Sequence, residues 1–184
     1  MSAHPWHDIP NSPDHASEWF HVYIEIPKGS KVKYELDKPS GLLKVDRVLY
    51  SSVIYPANYG FLPRSYCGDG DPLDVLVLGT EAVVPGTLMS ARAIGVMHML
   101  DDEKDDDKVI AVHLHDPAMN GYRDIGELPQ HIFREIERFF TDYKVLEKKN
   151  VEVEAILGAD EALKVIREAF ALYRKEENAL RGWR

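Results

Sequence analysis

The stretch YCGDGDPLDVLVLG, residues 66–79, limits what this chain can fold into more than any other part of it. Asp69, Asp71 and Asp74 stand within six residues, and an apolar run follows Asp74 at once. Carboxylates that close repel one another, and such a cluster persists only where positive charge sits among them. Gly68 and Gly70 let the backbone bend between the aspartates, Pro72 stiffens the turn, and Asp74 opens a buried strand that fixes its position. Hard oxygen ligands on such a loop suit Mg2+, Mn2+ or Ca2+ rather than zinc. Asp, Gly and Pro also build ordinary solvated turns, so the loop alone leaves both readings open.

Two familiar loops are excluded by register. A helix–loop–helix calcium site needs an acidic or amide residue at its fifth position and glycine at its sixth, but counting from Asp69 gives Leu73 and Asp74. No phosphate-cradling glycine loop ending in Gly-Lys-Ser/Thr occurs either.

Around the loop the chain changes period. Phe20, Val22, Ile24 and Ile26 alternate with His21, Tyr23 and Glu25, which is a strand with one face buried. Further short strands are expected at 31–36, 45–50, 74–84, 88–97 and 108–114, with Pro39-Ser40-Gly41 and Pro85-Gly86 as turns. After Pro129 the period becomes helical: Ile132, Phe133, Ile136, Phe139, Phe140 and Tyr143 form one apolar stripe. The strand VEVEAI follows, and Asp160 is placed to cap a second helix carrying Leu163, Ile166, Phe170 and Tyr173. The pattern predicts an α+β arrangement, a small β-barrel flanked by two C-terminal helices. Residues 1–17, rich in Pro, His, Asp and Ser, read as an extended arm before a single domain over 18–184.

Composition narrows the function. A net charge of −9 sets the surface against nucleic acid and anionic membranes, so a polyanionic substrate requires clustered cations or bound metal. Cys67 is the single cysteine, which rules out an internal disulfide; with no leader pattern or apolar span, a cytoplasmic protein is expected. The acidic field after Cys67 makes it a poor nucleophile, and the His113 and His115 pair lacks any companion ligand pattern.

A second acidic run, DDEKDDDK at 101–108, reads by itself as a hydrated hairpin tip and matters only if the fold carries it to the first cluster. Candidate cations are Lys33, Arg47, Lys108 and Lys144, with Tyr55, Tyr59 and Tyr143 as hydroxyl donors. Each taken singly reads first as an ordinary surface cation or core aromatic.

DGDPLD at 69–74 resembles the D-x-D-P-x-D signature of the family I soluble inorganic pyrophosphatases. EIPKGSKVKYELD at 25–37, GLLKVDR at 41–47, YPANYGFLP at 55–63, the acidic run ending at Lys108 and FFTDYKVLE at 139–147 match in order and kind. The resemblance covers about residues 20–147, and the opening HPWHDI is similar to plant-type members.

The resemblance implies a five-stranded barrel like the oligonucleotide-binding fold, with extra short strands and helices, that hydrolyses inorganic diphosphate using several Mg2+ ions, Mn2+ or Zn2+ being possible substitutes. It implies Asp69 and Asp74 as metal ligands and Asp71 as the general base. Counting back from Lys108, Asp106 and Asp101 are further ligands, while a shift of one would select Asp102, Asp105 or Asp107. Glu25 and Glu35 belong to the outer site; Lys33, Arg47, Tyr59, Lys108, Tyr143 and Lys144 hold phosphate oxygens; Tyr55 lines the cavity. A homo-oligomer is implied, a hexamer ahead of smaller assemblies.

Overall fold

Alternation along FHVYIEI makes β1 (Phe20–Ile26) a strand, and a computed structural model describing residues 3–182 places its partners. In chain order these are β2 (Val32–Asp37), β3 (Leu42–Val48), β4 (Asn58–Phe61), β5 (Asp74–Leu78), β6 (Leu88–Asp101), β7 (Lys104–Asp105) and β8 (Lys108–His113). Helix α1 (Gln130–Asp142), β9 (Val151–Gly158) and α2 (Ala159–Arg181) complete the α+β arrangement.

β1, β4, β5, β8 and β6 pair in that sequence, and β6 pairs back onto β1, so the five strands form a closed circuit of ladders. β5 and β8 are parallel and the other ladders are antiparallel. β6 is long enough to pair with β1 and β8 and then, over Gly95–Asp101, with β9. β2 and β3 stand apart as a two-stranded hairpin.

The apolar runs of β5 and β8 are continuous because both faces are buried. Val75, Val77, Val109 and Ala111 face a core that Ala162, Ile166, Ala169 and Phe170 of α2 cover. Leu76, Leu78, Ile110 and Val112 face a second core that Ile136, Phe139 and Phe140 of α1 cover.

Several expected boundaries shift. β4 falls within 55–63, a segment without alternation, because all four of its residues are buried. It also holds Gly60, where an added Cβ would stand 1.9 Å from the Tyr23 carbonyl oxygen of β1. β3 begins at Leu42 rather than at 45, β5 stops before Gly79 rather than reaching 84, and β6 runs on to Asp101 rather than ending at 97. Asp160 lies in the first turn of α2 and is not its cap; Gly158 holds that position, and Asp124 Oδ2 accepts the Ala159 N–H at 2.9 Å from a distant turn.

The segment before β1, read from sequence as an extended arm, makes turns at 5–8 and 13–18 and seats Trp6 against Phe61, Tyr66 and Tyr173 with no exposed surface.

Candidate active site

The parallel ladder between β5 and β8 is the first element of the site. It sets Asp74 opposite Lys108 at the start of the two strands, and Lys108 Nζ donates to Asp74 Oδ2 at 2.5 Å. Asp106, two residues before β8 begins, contacts the same ammonium. Lys108 is only 2% exposed; burial by itself would depress its pKa, but Asp74 and Asp106 outweigh burial and hold it raised.

The D-x-D loop crosses the mouth of this ladder. Gly70 takes φ +94° between the aspartates, the Gly70 N–H donates to the Cys67 carbonyl at 3.1 Å, and the Asp71 N–H donates to Asp69 Oδ1 at 3.0 Å. Burial, reinforced by the charges of Asp71, Asp74 and Asp106, pushes Asp69 up to about 6. Burial likewise raises Asp106, with Asp74 adding to it and Lys108 opposing.

β6 and α1 supply the far wall. β6 ends at Asp101, the acidic hairpin turns through Asp102 and Glu103 at positive φ, and β7 returns. Lys144, just past the end of α1, ion-pairs with Asp101, whose other oxygen is buried without a partner among the described residues. Tyr143, Tyr55 and Tyr59 stand beside it, their hydroxyls held in the neutral form first by burial and then by surrounding charges.

The near wall comes from β1 and the β2–β3 hairpin. Lys33 Nζ meets Glu35 Oε1 at 2.5 Å and Asp46 Oδ2 at 3.4 Å. Glu25 Oε1 accepts the Leu36 N–H at 2.7 Å; burial first and Asp74 second push its carboxyl up to about 8.

These walls enclose a cleft of about 560 Å3 lined by Glu25, Lys33, Glu35, Tyr55, Tyr59, Asp69, Asp71, Asp74, Asp101, Asp106, Lys108, Tyr143 and Lys144. Of the residues to which the resemblance assigns a role, Arg47 alone is not in that lining: its Nε donates to Glu147 at 2.9 Å and it ion-pairs with Asp46. It still lies opposite Lys33 in the hairpin, and its Nη2 is buried with no partner among the described residues. Among the alternatives in the acidic run, Asp105 also lines the cleft, whereas Asp102 accepts from the Asn150 N–H and Asp107 contacts His98 at 2.7 Å. Sequence reasoning missed Lys38, which lines the cleft and ion-pairs with Asp71; its lysine lies in the DKPSG turn, where nothing distinguishes it from a solvated residue.

The donor set fits a hard divalent cation. Its members are carboxylates that raise one another's pKa, and Asp101 carries an orphaned buried oxygen. Among the described residues, no three carboxylate, imidazole or thiol groups are already gathered as a ligand set, since Lys108, Lys144 and Lys38 hold the aspartates instead. Cys67 is half-buried, and burial followed by Asp69 and Asp74 pushes its thiol well up.

Comparison with known proteins gives a consistent picture. A family model described as inorganic pyrophosphatase matches residues 22–174. A soluble inorganic pyrophosphatase of Oryza sativa subsp. indica is 56% identical over 173 residues, 94% of this chain and 80% of that protein. Soluble inorganic pyrophosphatase 2 of Chlamydomonas reinhardtii is 55% identical over 95% of this chain and 90% of its own length. Among solved structures, the inorganic pyrophosphatase of Thermus thermophilus superposes with a TM-score of 0.87 at 38% identity, covering 94% of this chain and 99% of that one. That of Helicobacter pylori gives 0.84 at 44% identity, covering 87% and 96%.

Proposed function

The chain belongs to the inorganic pyrophosphatase family and hydrolyses inorganic diphosphate to two orthophosphates, and we propose that it does so in the carboxylate-lined cleft with Asp71 as the general base. One observation carries this assignment to the cleft: the D-x-D loop and the acidic hairpin, more than 25 residues apart in sequence, line a single cavity together with Lys33, Tyr143 and Lys144.

Asp69, Asp74, Asp101 and Asp106 would hold Mg2+, with Mn2+ or Zn2+ as substitutes; bound there, the ions neutralise the polyanion and lower the pKa of the attacking water. Asp71 stands at the loop apex with its side chain 55% exposed, where its carboxylate can take a proton from water. Lys33, Lys144, Tyr59 and Tyr143 bind phosphate oxygens from opposite sides of the cleft and oppose the charge that develops on the transferred and departing groups. The unpartnered Arg47 Nη2 supports a phosphate contact at the rim, and Lys108 completes the cationic wall from beneath. Glu25 and Glu35 shape the outer site and Tyr55 closes its floor.

In this reading residues 18–184 act as one domain behind the segment 1–17, the protein works in the cytoplasm, and it assembles as a homo-oligomer, a hexamer first. Exposed apolar side chains at Tyr50, Ile54, Val145 and Leu146 support assembly; light scattering decides it. No helix among the described residues is long and apolar enough to cross a membrane.

Orthophosphate release from diphosphate by the purified chain, with Mg2+ and with chelator, tests the assignment. Rapid release that chelator abolishes is expected. A folded protein that releases none at any Mg2+ concentration would overturn it.

A further inference from the structure

The three aspartates of the loop are held to different degrees. Asp74 is fixed by its strand and by Lys108, and Asp69 by the Asp71 N–H, but the Asp71 carboxylate projects from the apex beside the left-handed Gly70. Its ion-pair partner comes from another part of the chain. Lys38 contacts Asp71 Oδ1 and also donates to the Gly70 carbonyl at 2.9 Å, so one ammonium grips both the apex backbone and the carboxylate.

Lys38 is itself tied to the segment before β1. Its Nζ lies 5.8 Å from the centre of the Trp6 ring. Its carbonyl meets His4 Nε2 at 2.8 Å; since His4 Nδ1 accepts the Trp6 N–H at 3.3 Å, Nε2 is the nitrogen that donates. Trp6 reaches the other stem of the loop as well: Trp6 Nε1 donates to the Ser65 carbonyl at 2.8 Å, and Ser65 Oγ accepts the Leu73 N–H, next to Asp74, at 2.8 Å. One buried indole thus touches both the residue that grips the apex and the residue that ties down the stem.

We infer that Lys38 is a positioning residue for diphosphate hydrolysis, fixing the Asp71 carboxylate toward the cleft, and that His4 and Trp6 of the N-terminal segment hold Lys38 in place. The inference rests on the reading of Asp71 as the base. Displacing a reacting group by about an ångström costs on the order of a hundredfold in rate while leaving substrate affinity in place, so the effect falls on kcat rather than KM.

The test is steady-state hydrolysis of magnesium diphosphate by Lys38→Met, Lys38→Arg, Asp71→Asn and the Lys38→Met/Asp71→Asn double variant, each checked for a native melting transition. Lys38 is partly exposed, so its variants fold. Lys38→Met lowers kcat by about tenfold or more with KM within about twofold, Lys38→Arg recovers most of the loss, and Lys38→Met adds less than about twofold to Asp71→Asn. His4→Ala, whose side chain lies outside the cleft lining, lowers kcat in the same direction by about threefold.

Three results would overturn the inference: kcat within about twofold of wild type for Lys38→Met, a rise in KM alone, or a full Lys38→Met effect on top of Asp71→Asn. An unchanged kcat in His4→Ala would remove the N-terminal segment from it. Near-normal turnover by Asp71→Asn alone would instead sink the reading of the base, and that single variant tells the two failures apart.

Discussion

Glu25→Gln tests the electrostatics of the cleft through stability rather than through turnover. The Glu25 carboxyl lies in the cleft wall, 7% exposed, and Oε1 accepts the Leu36 N–H, a bond an amide oxygen can keep. Burial and then the charge of Asp74 hold it at about 8 against an ordinary 4.5, while the Leu36 N–H and Lys33 pull the other way. In the unfolded chain the group ionises as pH passes its ordinary value, whereas the folded protein keeps the proton until about 8. The native state therefore binds more protons across that window, and stability falls as pH rises through it. At about 1.4 kcal/mol per tenfold, the interval sets a ceiling of about 4 to 5 kcal/mol. The amide of the variant mimics the protonated acid at every pH, so Glu25→Gln should match wild type near pH 5 and exceed it by about 3 to 5 kcal/mol near pH 9. Urea unfolding of both proteins in chelator across that range measures this. All other titrating groups are common to the two proteins, so the difference reports Glu25 together with its coupling to Asp74, Lys33 and Glu35. Parallel stability curves would refute the burial argument.

Arg47→Ala should raise KM for diphosphate and weaken inhibition by orthophosphate with a smaller change in kcat, and unchanged kinetics would remove Arg47 from the cationic wall. Cys67, its thiol pushed up by burial and by Asp69 and Asp74, should resist iodoacetamide near pH 8 in the folded protein and react on unfolding; rapid native labelling would contradict that environment. Gly60→Ala should cost about 3 kcal/mol or more, read as a fall in Tm, because its Cβ would overlap the Tyr23 carbonyl oxygen; a Tm within a degree or two would mean that β1 and β4 can part. Orthophosphate should bind at least about tenfold more tightly with saturating Mg2+ than in chelator, by calorimetry, and equal affinities would show that cation and phosphate do not share the ammonium groups.

What sequence could reveal depended on whether the signal was local. Asp69, Asp71 and Asp74 announce themselves because glycine, proline and an apolar strand surround them within one loop. The helical stripe of α1 was equally plain, since Ile136, Phe139 and Phe140 repeat at helical spacing and all face one core. β4 was hidden because burial on both faces erases alternation in NYGF. The cap of α2 was misassigned to the nearby Asp160 because the real acceptor, Asp124, comes from 35 residues away. Two features of the site are likewise products of topology. Asp74 meets Lys108 only because β5 and β8 run parallel, a pairing that no short-range pattern encodes. Lys38 reaches Asp71 only because the β2–β3 hairpin leans over the D-x-D loop. Arg47, which motif order assigns to the cationic wall, stands opposite Lys33 in the hairpin and bonds Glu147, a long-range partner that no local pattern shows.

The pairing of the cleft's charges bears on how so acidic a site can receive a polyanion. Lys33 meets Glu35, Lys38 meets Asp71, Lys108 meets Asp74 and Asp106, and Lys144 meets Asp101. Each of these four ammonium groups is therefore already balanced, and diphosphate alone meets carboxylates that repel it rather than a free cluster of these cations. If Asp101 held a cation, Lys144 would lose its partner, and if Asp74 and Asp106 held one, Lys108 would lose both of its own. The free energy of breaking each ion pair is offset only when both new partners are present, because burial makes an unpaired charge in this cleft costly. Cation and phosphate should thus enter with mutual reinforcement, each lowering the cost of the other. On the proposed reading the aspartate cluster and the lysines interleaved with it would act as one device, the carboxylates holding the ammonium groups in position until a cation takes their place.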